Sequence, residues 1–217
     1  TVSCPESAIG AWNVQLSDLA DSANLAAVLE PATFRGGDED DVLIGGLGAD
    51  TFTWLPGDDN DLLEGGPGLD VLDFDCSNAN DSVSIGALGG GFRLLRNVGN
   101  VVLDVNAVES LVLETFGGDD VVSTVGLAGT SQSFDGGLQS VTDTLSYDAG
   151  GQCAFQTPGS IRTPGRQTVF HTGFEAIPTL DECPAVAAPT LGPLGFAALA
   201  VGLSLILGGL APRASDP

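Results

Sequence analysis

The stretch GGLGADTFT, residues 45–53, decides how this chain is read. Its first six positions hold three glycines and one aspartate, and Thr51-Phe52-Thr53 closes it. Three glycines so close usually mean flexibility. The neighbouring sequence says otherwise, because the same spelling returns in blocks of nine. Residues 36–44 read GGDEDDVLI, residues 56–64 PGDDNDLLE and residues 65–73 GGPGLDVLD. The sixth position is always aspartate: Asp41, Asp50, Asp61 and Asp70. The eighth is always large and apolar: Leu43, Phe52, Leu63 and Leu72. The second is always glycine, and a two-residue insert, Trp54-Leu55, separates the middle blocks. A fixed nonapeptide period takes precedence over any local helix or strand assignment.

The spacing has a direct physical reading. Three residues with one inward apolar side chain make a short strand, because side chains alternate across a strand. The six residues before them must turn the chain. Glycine permits tight curling and close backbone approach. Such a turn aims several carbonyl oxygens at one point, and the aspartate adds a carboxylate. Those are the ligands that calcium prefers. Two turns and two strands then make one coil of eighteen residues.

These blocks resemble the hemolysin-type calcium-binding repeat of RTX proteins, a parallel β-roll. The resemblance covers residues 36–73. It implies Ca2+ held between same-side turns of successive coils, with Asp41 sharing a site with Asp61 and Asp50 with Asp70. Glu39 replaces a glycine in the first block, and Pro56 and Asp59 replace glycines in the third. Asp38, Asp59, Asp119, Asp120 and Asp143 are secondary ligand candidates in less regular turns.

Composition fits an acidic extracytoplasmic protein. Twenty-nine acidic residues face six basic ones, for a formal net charge of -23. Nucleic acid is excluded as a partner, since its binding needs a basic patch. Calcium would neutralise the like charges that crowd the repeats. The chain lacks methionine and opens on Thr1, which fits a secretory signal peptide already removed. Cys4, Cys76, Cys153 and Cys183 suit an oxidising compartment and form no CxxC pair. Four cysteines allow three pairings. Bracketing each half of the domain favours Cys4–Cys76 and Cys153–Cys183, with four free thiols as the alternative.

The flanks complete an all-β solenoid. Residues 1–35 are expected to cap it: AWNVQL (11–16) alternates like an edge strand, and the alanine- and leucine-rich residues 17–30 suggest a short helix ending at Pro31. Residues 36–113 form the calcium β-roll module. Beyond Asp73 the strict period fades, but short β-prone segments persist at 83–85, 92–95, 101–105 and 111–113. FGGDDVV (116–122) and DGGLQSVTDTLSYD (135–148) echo the motif, and VNAVESL (105–111) rhymes with HTGFEAI (171–177). Residues 114–177 are therefore read as a second, degenerate module.

No catalytic constellation stands out. His171 is the single histidine, and neither HExxH nor GxSxG occurs. The chain is read as non-enzymatic.

Residues 178–193 hold four prolines and read as a stiff linker. Residues 194–210, LGFAALAVGLSLILGGL, carry no charge. With residues 191–193 the stretch spans about 30 Å as a helix, the thickness of a bilayer's hydrocarbon core. Arg213, in the tail at 211–217, favours a cytoplasmic C-terminus. Gly195, Ala198, Gly202 and Gly209 line one stripe of that helix, where small residues permit close packing on another helix. Residues 188–200 also resemble an IPTL-type C-terminal sorting signal of some bacteria, with Pro189, Thr190, Leu191 and Gly195 matching. The functional expectation is a single-pass protein of the bacterial cell membrane. It would be an accessory subunit bound to an integral membrane complex, or self-assembled, through its C-terminal helix in the lipid bilayer. The alternatives are a cell-surface or filament-forming adhesion or matrix protein displayed by the sorting signal, and an enzyme with an unrecognised site.

Overall fold

The computed structural model describes residues 9–137, 142–177 and 180. Within them the chain is all-β, and one 3-10 turn at Val98–Asn100 is the sole helical element. The first ten strands are β1 (Trp12–Gln15), β2 (Ser22–Asn24), β3 (Ala32–Arg35), β4 (Asp41–Ile44), β5 (Thr51–Trp54), β6 (Asp61–Glu64), β7 (Val71–Asp75), β8 (Ser82–Leu88), β9 (Gly91–Arg96) and β10 (Val101–Asn106). The remainder are β11 (Ser110–Glu114), β12 (Val121–Val125), β13 (Ser131–Asp135), β14 (Thr144–Asp148), β15 (Phe155–Thr157), β16 (Ser160–Arg162) and β17 (Val169–Thr172).

The strands sort into two sheets. One has nine strands in the order β1-β3-β5-β7-β11-β13-β17-β16-β15. The other has eight in the order β14-β12-β8-β9-β10-β6-β4-β2. From β1 to β7 successive strands alternate between the sheets, and every pairing among them is parallel. That topology is compatible with a β-roll or solenoid. The segments expected as strands at 83–85, 92–95, 101–105 and 111–113 lie in β8, β9, β10 and β11.

Each strand turns one row of side chains inward. In β5, Phe52 and Trp54 are buried while Thr51 and Thr53 are half-exposed. In β4, Asp41 and Leu43 face inward and Val42 outward. The core is thus a sandwich of Phe34, Phe52, Trp54, Phe74 and Phe92 with aliphatic partners. Phe34 stacks on Phe52 at 4.9 Å, and Trp54 on Phe74 at 4.3 Å.

Three expectations are corrected. Residues 17–30 form no helix: they carry turns and β2, which pairs in parallel with β4, Ser22 opposite Val42. Local helix propensity loses here to the parallel ladder and to the half-burial of Ala23 and Leu25 against the core. The segment is itself the first coil, and Leu19 and Leu29 stay exposed. Second, the coil length is not uniform: β3 and β5 pair at the expected eighteen residues, Phe34 opposite Phe52, whereas β2 with β4, β4 with β6 and β5 with β7 pair at twenty, Trp54 opposite Phe74. Trp54-Leu55, at the end of β5, accounts for the two added residues in the β4–β6 and β5–β7 steps. Third, Cys76 is a buried free thiol, so a Cys4–Cys76 bridge is not formed. Cys76 follows β7's inward row and packs among core side chains.

Cys153 is disulfide-bonded, to a cysteine outside the described residues. Cys4, Cys183 and the whole proposed membrane helix with Gly195, Ala198, Gly202 and Gly209 lie outside the described residues. Both sheets continue across residues 113–114 without a break, because β11 pairs with β13 and β8 with β12.

The eight-stranded sheet departs from the coil once. β9 runs antiparallel to both β8 and β10, with Gly89-Gly90 as the tight turn between β8 and β9. This hairpin pushes β8 away from β6, so β10 takes the place beside β6.

Candidate cation-binding turns

The sixth-position aspartates sit where a turn enters a strand, and they link coil to coil. The amide of Asp21 donates to Asp41 Oδ1 at 2.7 Å, and that of Asp41 to Asp61 Oδ1 at 3.0 Å. On the opposite side, Asp50 Oδ1 accepts from Ala32 N at 2.7 Å. The Asp50 amide donates to Asp70 Oδ1 at 2.7 Å. The Asp70 amide donates to Glu109 Oε2 at 2.9 Å. A third row runs Asp81, Asp120, Asp143 and Glu175, with amide-to-carboxylate distances of 2.7, 2.8 and 2.9 Å.

Each row therefore stacks one carboxylate per coil. One oxygen of each accepts a backbone amide. At Asp50 the other oxygen accepts the Gly46 amide of its own turn at 2.6 Å. Asp41, Asp70, Asp120 and Asp143 are all buried, and Oδ2 of each has no hydrogen-bond partner. Leaving a carboxylate oxygen buried and unmet is costly unless a cation answers it. Burial, the largest influence, pushes Asp61 up to about 7 and Asp70 up to about 6. It raises Asp41, Asp120 and Asp143 as well, with neighbouring carboxylates adding to the rise.

The turns between these aspartates have no room for side chains. A Cβ on Gly68 would lie 2.2 Å from the Gly48 carbonyl oxygen of the preceding coil. On Gly65 it would lie 2.0 Å from the Ala107 oxygen and 2.8 Å from Asp70 Oδ2. Glycine is required because carbonyls of successive coils approach beside the carboxylates. An open groove of about 360 Å³ runs over the outer side of the Asp41–Asp61 pair, lined also by Asp40, Asn60 and Asp104.

The oxygen-only donor set fits a hard divalent cation such as calcium. Among the described residues no three acidic, histidine or cysteine side chains converge on one point. Each position thus offers one carboxylate per coil, and turn carbonyls would have to complete the shell. The pairs that the resemblance implies as shared sites, Asp41 with Asp61 and Asp50 with Asp70, are each joined coil to coil by an amide-to-carboxylate hydrogen bond. Asp41 and Asp61 are direct neighbours in the ladder.

The secondary candidates divide. Asp120 and Asp143 belong to the third row. Asp59 is half-buried and accepts the Glu39 amide at 3.1 Å. Asp38 and Asp119 are exposed, and Asp119 Oδ1 accepts the Thr142 amide at 3.1 Å. Asp21, Asp81, Glu109 and Glu175 went unrecognised in the sequence. Asp21 was legible as the residue twenty before Asp41. Glu109 and Glu175 lie in the two rhyming segments and play the same part, closing a row on the amide of Asp70 or Asp143. Asp58 is another buried acid, spent on the Leu55 amide and on Arg35.

His171 is half-buried on β17, with burial lowering its pKa and Nε2 unpartnered. Comparison with protein-family models, with curated proteins and with solved structures found no match.

Proposed function

We propose that this chain is a non-catalytic, calcium-binding β-roll of the RTX type, displayed outside the cytoplasm and held at a membrane by residues 194–210. The observation that carries the reading is the set of buried, unpartnered Oδ2 atoms on the stacked aspartates Asp41, Asp70, Asp120 and Asp143. Bound calcium would supply the positive charge these carboxylates face. The chain's own residues do the rest: Asp41 with Asp61 and Asp50 with Asp70 present carboxylates, the glycine turns present carbonyls, and the amide ladder fixes the spacing.

The role is structural, as an accessory subunit of a membrane complex. It rests on the uncharged stretch at 194–210 and on its stripe Gly195, Ala198, Gly202 and Gly209. The net charge of -23 speaks against nucleic acid as a partner. A surface or filament protein displayed by the sorting-type motif at 188–200 is the second reading, favoured by Pro189-Thr190-Leu191.

Two measurements test this. Calorimetric titration with calcium should show saturable binding, and excess chelator should lower the β-content seen by circular dichroism. An unchanged melting curve in chelator refutes the calcium reading. Purification from detergent-solubilised membranes separates the two roles. A stoichiometric integral-membrane partner, released when Gly202 is replaced by leucine, supports the subunit, and homopolymer alone supports the filament.

A further inference from the structure

Among the described residues, one carboxylate of the acid rows meets a buried side-chain cation. Asp81 is 2% exposed and stands at the head of the third row. Its Oδ1 receives Arg96 Nε at 2.7 Å, and its Oδ2 receives Arg96 Nη2 at 3.2 Å. Oδ2 also accepts Ser77 N at 2.9 Å and Ser77 Oγ at 3.0 Å. Both oxygens are therefore engaged, whereas Asp41, Asp70, Asp120 and Asp143 each keep one bare.

Arg96 is 4% exposed and reaches Asp81 from β9, the strand the hairpin inserts into the sheet. Its guanidinium carbon lies 5.5 Å from the centroid of the Trp54 ring. A buried guanidinium stays protonated and grips a carboxylate with two parallel hydrogen bonds. The aromatic face adds a favourable contact for the same charge. A calcium ion offers the other carboxylates a positive charge only while it is bound. The guanidinium offers it permanently.

We propose that Arg96 is the resident cation of the Asp81 turn: its guanidinium takes the part that calcium takes in the neighbouring turns, so this coil folds without metal and binds no ion there. The inference rests on the calcium reading for those neighbours. It makes β8–β10 a metal-independent centre. The Asp41–Asp61 and Asp50–Asp70 rows on one side and the Asp120–Asp143 row on the other become ordered onto it as calcium binds.

Hydrogen exchange read by mass spectrometry on the full chain tests this, in excess chelator and in saturating calcium. In the wild-type protein, amides of residues 36–73 should lose protection about tenfold or more in chelator, while those of β8–β10 keep theirs. Arg96→Met should make β8–β10 lose protection in chelator by a similar factor and regain it in calcium. Native mass spectrometry should then count one more calcium per chain, at the freed Asp81. Arg96 is not the resident cation if wild-type β8–β10 loses protection together with residues 36–73, or if Arg96→Met leaves β8–β10 protected in chelator. Should Arg96→Met not fold, the Asp81→Asn/Arg96→Met pair decides. Recovery of calcium-free protection shows that Arg96 answers the Asp81 charge, and continued loss overturns the idea. Calcium-indifferent amides throughout residues 36–73 overturn the calcium reading itself, and the stand-in with it.

Discussion

The amide of Asp50 donates to Oδ1 of Asp70, 2.7 Å away and one full coil later. This single link joins backbone to side chain, coil to coil, and spends one oxygen of Asp70. It leaves Oδ2 buried and bare. The contact therefore spaces the ladder and at the same time holds a charge that wants a cation.

Asp70→Asn should separate those two parts. An asparagine side-chain oxygen still accepts the Asp50 amide, but the charge is gone and the amide nitrogen replaces Oδ2. In chelator the variant should be as stable as the wild-type protein or more so, because the buried carboxylate no longer faces its neighbours uncompensated. In calcium it should lose most of the ion-induced rise in Tm from this row. Differential scanning calorimetry with and without calcium reads both effects. A variant that gains as much from calcium as wild type would show that Asp70 is no ligand.

The raised carboxylates set a pH dependence whose sign is opposite to that of a salt-bridged acid. In the unfolded chain such groups ionise near their usual 3.8, whereas in the fold Asp61 holds its proton to about 7 and Asp70 to about 6. The folded state therefore binds more protons between those values, and stability falls as pH rises through that window. The contribution is complete below about pH 4 and lost by about pH 7. Without metal, the protein should melt at a lower temperature at pH 8 than at pH 5. Calcium competes with those protons, so its stabilising effect should grow over the same interval. Thermal melts in chelator that rise in Tm from pH 5 to pH 8 would contradict this.

Much of this architecture was legible because one constraint repeats. The aspartate at Asp41, Asp50, Asp61 and Asp70 follows the same turn in every block, and inward apolar residues follow it two positions later. What escaped reading was information carried by the stack. Residues 17–30 hold no glycine, so the first coil hides behind helix-forming alanines and leucines, and only its ladder with β4 reveals it. The coil length escaped a single-period reading because it varies from step to step: Phe34 and Phe52 pair eighteen apart, Trp54 and Phe74 twenty. The β9–β10 excursion brings Arg96 to Asp81 across fifteen residues, a contact no repeat can announce.

The turn glycines offer a sharper test of close approach. At Gly68 a methyl group would sit 2.2 Å from the Gly48 carbonyl oxygen, which is backbone and cannot rotate away. Gly68→Ala should destabilise the calcium-loaded protein by about 3 kcal/mol, the upper range for forced overpacking. Gly90→Ala is the control, since nothing lies within 4 Å of its added carbon. Urea denaturation in saturating calcium compares them. Equal midpoints for the two variants would mean that the coils are spaced more loosely than described.

Gln132 breaks the apolar row in a way that predicts a non-additive pair. It occupies an inward position of β13, between Leu111 and Val169 in register, and is buried. Thr124 faces it from β12, and the threonine hydroxyl donates to Gln132 Oε1. Gln132 Nε2 donates in turn to the Val125 carbonyl at 2.9 Å. The two side chains form a polar bridge between the sheets, satisfied only while both are present. Thr124→Val removes the donor and leaves Oε1 buried without one, which should cost about 1–3 kcal/mol. Adding Gln132→Leu removes the orphaned group as well, and it fills the row with the side chain that Leu111 already places next door. The double variant should therefore be more stable than Thr124→Val alone, approaching wild type, because replacing both partners of a buried hydrogen bond by apolar groups is nearly neutral. Urea midpoints for both variants, at fixed calcium, measure the coupling. Simple addition of two losses would show that the bridge does not act as a unit.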